Sequence, residues 1–242
     1  MKDHDAGEYG TLIADDYDAI YEQAFDTVNA VERLTELADG GPVLELGVGT
    51  GRLATPLARA GLEVHGIDGS EEMLALLAEQ SGGAVAGTLG DFSSTRVGDA
   101  GTFSLVVLAV NTIYALPDQD AQVRCFANAA WHLRPGGRFV VEAWVPDAST
   151  LDAPLKTRRL SPGYVGLVAA DHDPVAQMLS TTQIVFGHDK VRVFPVVHRY
   201  AWPSELDLMA CLAGLRLEHR WEDWHSAPFG SSSENHVSIY RR

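Results

Sequence analysis

Apolar positions recur at helical spacing through residues 11–38: Leu12, Ile13, Tyr17, Ile20 and Tyr21, then Val28, Val31, Leu34 and Leu37. That period predicts amphipathic helix, and the cluster Asp39-Gly40-Gly41-Pro42 ends it. From Val43 the rhythm changes to short apolar runs separated by amphipathic stretches. The pattern predicts strand Val43–Leu46, helix Arg52–Ala60, strand Leu62–Ile67, helix Ser70–Gln80 and strand Ala84–Leu89. Strand Phe103–Val110, helix Gln119–His132 and, after the turn Pro135-Gly136-Gly137, strand Arg138–Trp144 complete this part. Strands that are apolar throughout and alternate with helices predict a parallel sheet covered on both faces.

Between Pro146 and Tyr200 the pattern becomes β-prone, in the runs Tyr164–Val168, Gln177–Phe186 and Val191–Tyr200. With Gly187-His188-Asp189-Lys190 as a hairpin turn, this predicts an antiparallel insertion of about three strands. Pro203–Ala213 reads as a helix, and Leu215–Trp224 and His236–Arg241 as strands. Joined by a short loop, these last strands suggest an antiparallel hairpin that closes the sheet.

Composition narrows the partners. A chain of 242 residues with 46% hydrophobic and 21% charged residues suits one large α/β domain with a modest insertion. A formal charge of −15 repels polyanions, so neither nucleic acid nor an anionic membrane is an expected partner. Only Arg158-Arg159 and Arg241-Arg242 place two basic residues together. Cys125 and Cys211 lie far apart within helical segments and read as small apolar residues. The histidines show no ligand spacing, so no metal is expected. No apolar run approaches membrane-spanning length and the first residues are polar, which points to the cytoplasm.

The chemistry concentrates between Val43 and Asp68. In Val43-Leu44-Glu45-Leu46-Gly47-Val48-Gly49-Thr50-Gly51-Arg52, glycines at alternate positions stand where a first strand turns into a helix. Such a turn lets backbone approach a ligand, and the next helix aims its N–H groups at an anionic one. A dinucleotide fingerprint needs Gly-x-Gly-x-x-Gly, but the third position here is Arg52, which disfavours a nicotinamide oxidoreductase. No Gly-Lys-Ser/Thr comes after it, which excludes a P-loop. Asp68 ends the second strand, where a carboxylate can accept bonds from two ribose hydroxyls. It could instead cap the next helix, but Ser70 is the better placed cap and leaves Asp68 to a ligand.

The register acidic-x-Gly-x-Gly-x-Gly from Glu45 resembles class I S-adenosylmethionine-dependent methyltransferases. The resemblance covers residues 30–145 well and the last part of the chain loosely, and Leu133-Arg134-Pro135-Gly136-Gly137-Arg138-Phe139 adds to it. It implies a Rossmann-like, seven-stranded, mostly parallel sheet with helices on both faces. It also implies an N-terminal helical lid, and the antiparallel β insertion falls after strand five. The chain then divides into a helical cap (1–40), a cofactor-binding core (41–149), a substrate-covering insertion (150–202) and a C-terminal part of the core (203–242). S-adenosylmethionine is the implied cofactor and S-adenosylhomocysteine the product. The implied cofactor residues are Glu45, Gly47, Gly49, Gly51, Asp68, Gly69, Met73, Asp91, Phe92 and Ala109. Among them, Asp91 in Gly90-Asp91-Phe92 would bond the adenine amine while Phe92 packs its ring.

The acceptor side is less marked. Carboxyl ends of parallel strands line the ligand crevice, which places Asn111-Thr112-Ile113-Tyr114 near the transferred methyl. Nucleobase amino-methyltransferases carry Asn/Asp-Pro-Pro-Tyr/Phe there, and the missing prolines argue against a nucleobase. Glu142-Ala143-Trp144 resembles the Glu-Pro-Trp of methyltransferases acting on amino sugars of antibiotics. Tyr21, Asn111, Ile113, Tyr114 and Trp144 are therefore the candidate substrate contacts, and Tyr9, Tyr17 and His198 the candidate catalytic groups. Core packing explains Tyr17 and Tyr21 equally well, and a surface imidazole is the plainer reading of His198. The expected reaction is methyl transfer to a nitrogen, or an oxygen, of a small secondary metabolite. The alternative is a protein of this fold that binds the cofactor and runs a different reaction. Exposed strands of the insertion could pair between subunits.

Overall fold

The computed structural model describes residues 25–147, 155–161, 164–187 and 191–242. Helix α1 (Thr27–Ala38) starts where Asp26 accepts a hydrogen bond from the Asn29 amide, and it ends where Asp39 and Gly40 turn left-handed. Ala30, Leu34 and Ala38 form its buried stripe, whereas Val28, expected on the apolar face, is exposed. Next come β1 (Val43–Leu46), α2 (Ala54–Arg59), β2 (Val64–Asp68), α3 (Glu71–Ser81), β3 (Ala86–Leu89), β4 (Phe103–Leu108), α4 (Gln119–His132) and β5 (Leu133–Trp144). The chain continues through β6 (Leu155–Ser161), β7 (Tyr164–Asp173), β8 (Met178–Phe186), β9 (Val191–Arg199), α5 (Pro203–Leu212), β10 (Arg216–Trp221) and β11 (Asn235–Arg241).

Seven strands form one sheet in the order β10-β11-β5-β4-β1-β2-β3. β1 to β5 run parallel, and β11 is antiparallel to both its neighbours. Every residue of β1 and β4 is buried because helices cover both faces. One core layer packs Leu44, Leu46, Phe126, Phe139 and Tyr240 under α4 and α5. The other packs Val43, Leu57, Leu105, Val140 and Ile239 under α1 and α2. The strand order reverses between β1 and β4, so the loops leaving their carboxyl ends diverge and open a crevice. Among the described residues no helix is long and apolar enough to cross a membrane.

Three details depart from the sequence expectation. The insertion is a separate sheet of four strands, in the order β6-β7-β8-β9. The additional strand, β6, carries Lys156, Arg158 and Arg159 and lacks an apolar alternation, yet an edge strand needs only backbone pairing. Strand β5 starts at Leu133 and not at Arg138: its register against β4 jumps from Phe103–Leu133 to Leu105–Arg138, so Pro135-Gly136-Gly137 bulges out within the strand. Strand β10 ends at Trp221 because Asp223 folds the chain into a turn, accepting from the His225 and Ala227 amides. The connection from β10 to β11 is accordingly longer than a hairpin loop, and it carries Trp224 into the core.

A buried polar cluster joins the insertion to the main sheet. The Arg199 guanidinium donates to Gln122 at 2.6 Å, to Gln177 at 3.1 Å and to Glu205 at 2.7 Å. Gln122 in turn donates to the Ile113 and Arg199 carbonyls, and Gln177 donates to the Tyr200 carbonyl and to Glu205. Arg199 ends β9, Glu205 opens α5 and Gln122 sits on α4, so one guanidinium ties three elements together.

Candidate functional site

The turn after β1 carries the left-handed glycines Gly47, Gly49 and Gly51, with φ of 68°, 55° and 92°. No described atom lies within 4 Å of the place a Gly49 Cβ would take, so that edge of the loop faces open space. Gly47 is closed on its other side: a Cβ there would meet Thr112 Cγ2 at 2.5 Å. Val48 and Gly47 hydrogen-bond back to the Ile67 carbonyl, which presses the loop onto the end of β2.

Asp68 organises this loop. Its Oδ2 accepts from the Gly49 amide at 2.8 Å and its Oδ1 from the Ser70 amide at 3.0 Å. Ser70 caps α3 by accepting from Met73 N, as expected. Asp68 is therefore not as free as the sequence implied, although the backbone amides leave part of its acceptor capacity for a ligand. Burial pushes its carboxyl above the ordinary value, while the amides of Gly49, Ser70 and Gly69 pull it down.

Glu45 lies on β1 beneath the loop, and its Oε2 is buried without a hydrogen-bond partner. Burial pushes the carboxyl from 4.5 to about 8, against the Arg52 charge and the Ala54 amide and helped by Asp68. A buried acceptor of this kind asks for a donor from a ligand. Arg52 itself lies over the Phe25 ring at 4.8 Å and donates to Thr27, so the start of α1 is held against the loop.

The remaining expected residues divide. Asp91 is exposed, and its carboxylate accepts from Ser93 N and Oγ and from Ser94 Oγ within its own turn. Phe92 packs into the core, and Ala109 is buried with its carbonyl accepting from Thr112. Met73 meets Val185, Phe194 and Val196 of the insertion, with Phe25 against them. The second sheet thus roofs the carboxyl end of β2. His198 lies on β9 on the face that carries Phe194 and Val196, two residues on from Val196.

Ile113 and Tyr114 are corrections. Both side chains are fully buried, and the Tyr114 hydroxyl shares its one proton between the Trp144 and Ala201 carbonyls, each at 2.9 Å. The 3-10 turn Thr112–Ala115 points them into the core, where burial drives the phenol further from ionising. Both side chains pack within the core layer under α4 and α5. Trp144 stays half-buried against the Tyr114 and Tyr200 rings, and its amide donates to Asn111 Oδ1 at 2.7 Å. Tyr9, Tyr17 and Tyr21 lie outside the described residues.

Comparison with known proteins agrees with this geometry. A methyltransferase-domain family model matches residues 43–137. The CcbJ methyltransferase from Streptomyces caelestis is 43% identical, superposes with a TM-score of 0.89, and 98% of each chain is covered. This chain belongs to the class I S-adenosylmethionine-dependent methyltransferases. The methyltransferase is also 27% identical over 213 residues to the cypemycin N-terminal methyltransferase from a Streptomyces species, with 84% of each chain covered. An S-adenosylmethionine-dependent methyltransferase from Clostridium acetobutylicum, 16% identical with a TM-score of 0.79 and coverage of 96% and 98%, shares the fold.

The site fits the cofactor of this family. The orphaned Glu45 oxygen suits an ammonium, the open edge at Gly49 admits close backbone approach, and Asp68 keeps free lone pairs. Sequence reasoning missed the roof residues Val185, Phe194 and Val196. Their apolar side chains give no chemical signal, and only folding brings them over Met73.

Proposed function

We propose that the methyltransferase acts on an amine nitrogen of a small molecule of secondary metabolism. The crevice is floored by the carboxyl ends of β1, β2 and β4 and roofed by the β6–β9 sheet. The roof carries this reading. Val185, Phe194 and Val196 close on Met73 and give the site an apolar cover, which suits a compact acceptor better than a polymer. The name of the cypemycin relative, an N-terminal methyltransferase, supports nitrogen.

In this reading the loop Glu45–Gly51, Asp68, Gly69, Met73, Asp91, Phe92 and Ala109 hold the cofactor. When bound, S-adenosylmethionine supplies the methyl group from its sulfonium. The chain's own part is to align the acceptor, exclude water and hold charge. Residues 150–202 form the cover and residues 1–40 the cap, with Tyr9, Tyr17, Tyr21, Asn111, Trp144 and His198 on the acceptor side. An amine that arrives neutral needs position more than a base.

Methyl-labelled S-adenosylmethionine incubated with a panel of small amines and alcohols tests this. Label appearing in an amine is the expected result. Label confined to hydroxyl oxygens, or tight cofactor binding with no transfer to any acceptor, defeats it.

Glu45 makes cofactor binding proton-linked. Its raised value means that the folded protein keeps it protonated between 4.5 and about 8. The associated stability is full below 4.5 and is lost as pH rises through about 8. An ammonium brought to Glu45 favours the carboxylate, so binding should release a proton near neutral pH. Calorimetric titrations with S-adenosylhomocysteine in buffers of different ionisation heat should show that release, and Glu45→Gln should abolish it.

A further inference from the structure

The carboxyl end of β4 holds an unusual conformation. Val110 and Asn111 are consecutive non-glycine residues with φ of 51° and 62°. A β-branched residue in the left-handed region is an outlier, and such backbone persists only where its surroundings impose it. Here β5 imposes it through three bonds. Glu142 Oε2 accepts from the Val110 amide at 3.0 Å, and the Glu142 carbonyl accepts from the Asn111 amide at 3.0 Å. Asn111 Oδ1 accepts from the Trp144 amide at 2.7 Å. The second carboxylate oxygen, Oε1, accepts from Trp224 Nε1 at 2.7 Å. Trp224 is buried in the core layer that also holds Val140 and Val237, so Glu142 is braced from within the core.

The strained pair sets the position of Thr112. The Thr112 hydroxyl is bonded to the Ala109 carbonyl at 2.6 Å, and its methyl fills the space at Gly47. A shift of Val110 and Asn111 therefore moves Thr112 against the cofactor loop.

We propose that Glu142 is a positioning residue for methyl transfer, holding the Val110–Asn111 turn so that Thr112 keeps the Gly47 loop in its binding shape. The proposal rests on the cofactor site and not on which acceptor is methylated. Its chemistry is specific. Two N–H donors meet two different oxygens, which an acceptor-only carboxylate satisfies. A carboxamide cannot, because its NH2 faces either the Val110 amide or the Trp224 indole N–H. Removing the indole N–H should then let a glutamine work, with its oxygen turned to Val110.

The test is a double-mutant cycle read by S-adenosylhomocysteine affinity in calorimetry, with thermal melting alongside. Glu142→Gln should weaken affinity about tenfold, the scale of one lost charge-assisted bond. Trp224→Phe keeps the bond to Val110 and should change affinity less than about threefold. Glu142→Gln combined with Trp224→Phe should bind more tightly than Glu142→Gln alone, although it has lost more native contacts. If Glu142→Gln does not fold, the combined variant should still fold and bind. Unchanged affinity in a folded Glu142→Gln, or a combined variant no better than the single one, overturns the proposal. A merely packing role would lower the melting temperature of both single variants and leave the affinity of the folded protein untouched.

Discussion

Asp68→Ala should weaken binding of S-adenosylmethionine and S-adenosylhomocysteine by roughly 10–100-fold, the scale of lost charge-assisted hydrogen bonds. The expectation has two parts. The carboxylate offers free lone pairs to the ligand, and it also holds the loop by accepting from the Gly49 amide at 2.8 Å. Without it the loop loses one of its ties to the end of β2, and the Gly49 and Ser70 amides lose their partner. Asp68→Asn keeps a single acceptor oxygen and should fall between wild type and alanine. Calorimetric titration measures both, and an unchanged dissociation constant for Asp68→Ala would remove the residue from the site.

Arg199→Met should cost about 3–5 kcal/mol of stability, as removing one partner of a buried ion pair does. The side chain is 7% exposed and its Glu205 partner 16%, so water cannot replace the guanidinium freely. Its loss strands the Gln122 and Gln177 side-chain oxygens and leaves the Glu205 charge without its cation. In a domain of this size that should lower the melting temperature by on the order of 10 °C. Adding Glu205→Leu removes the stranded charge and should recover much of the loss. Burial raises the Glu205 carboxyl, but bonds from Gln177, Arg199 and Gln119 and the Arg199 charge outweigh it and leave it below 4.5. Its contribution is thus present above 4.5 and lost as pH falls through the lowered value. Melting curves of wild type and Arg199→Met should converge in acid, and a near-native Arg199→Met would refute the role of the cluster. Because the cluster anchors β9, the variant should also expose the insertion to limited proteolysis before the main sheet.

Legibility tracked physical range. Helix α4 runs from Gln119 to His132 as its period predicts, with Asp118 capping it by accepting from the Ala121 amide, and β1 runs from Val43 to Leu46 as predicted. Both rest on local signals, namely period, cap and a run of apolar residues. The site was legible to the same depth: the glycine register, the acid at the end of β2 and the cap at Ser70 are all local. Signals of mixed origin misled. Tyr114 is a polar aromatic at a strand end in the sequence, yet its hydroxyl finds the Trp144 and Ala201 carbonyls, one of them 87 positions away. Strand β6 hid because pairing to β7 supplies what its side chains do not advertise.

The parallel sheet, the cofactor loop and the family are each written in the spacing of neighbouring residues. That Glu142 bonds Val110, that Met73 packs against the insertion and that Asp68 holds the Gly49 loop came to light in the folded chain alone. Those relations join residues distant in sequence through single hydrogen bonds and contacts, and no local period records which distant partner a side chain will meet.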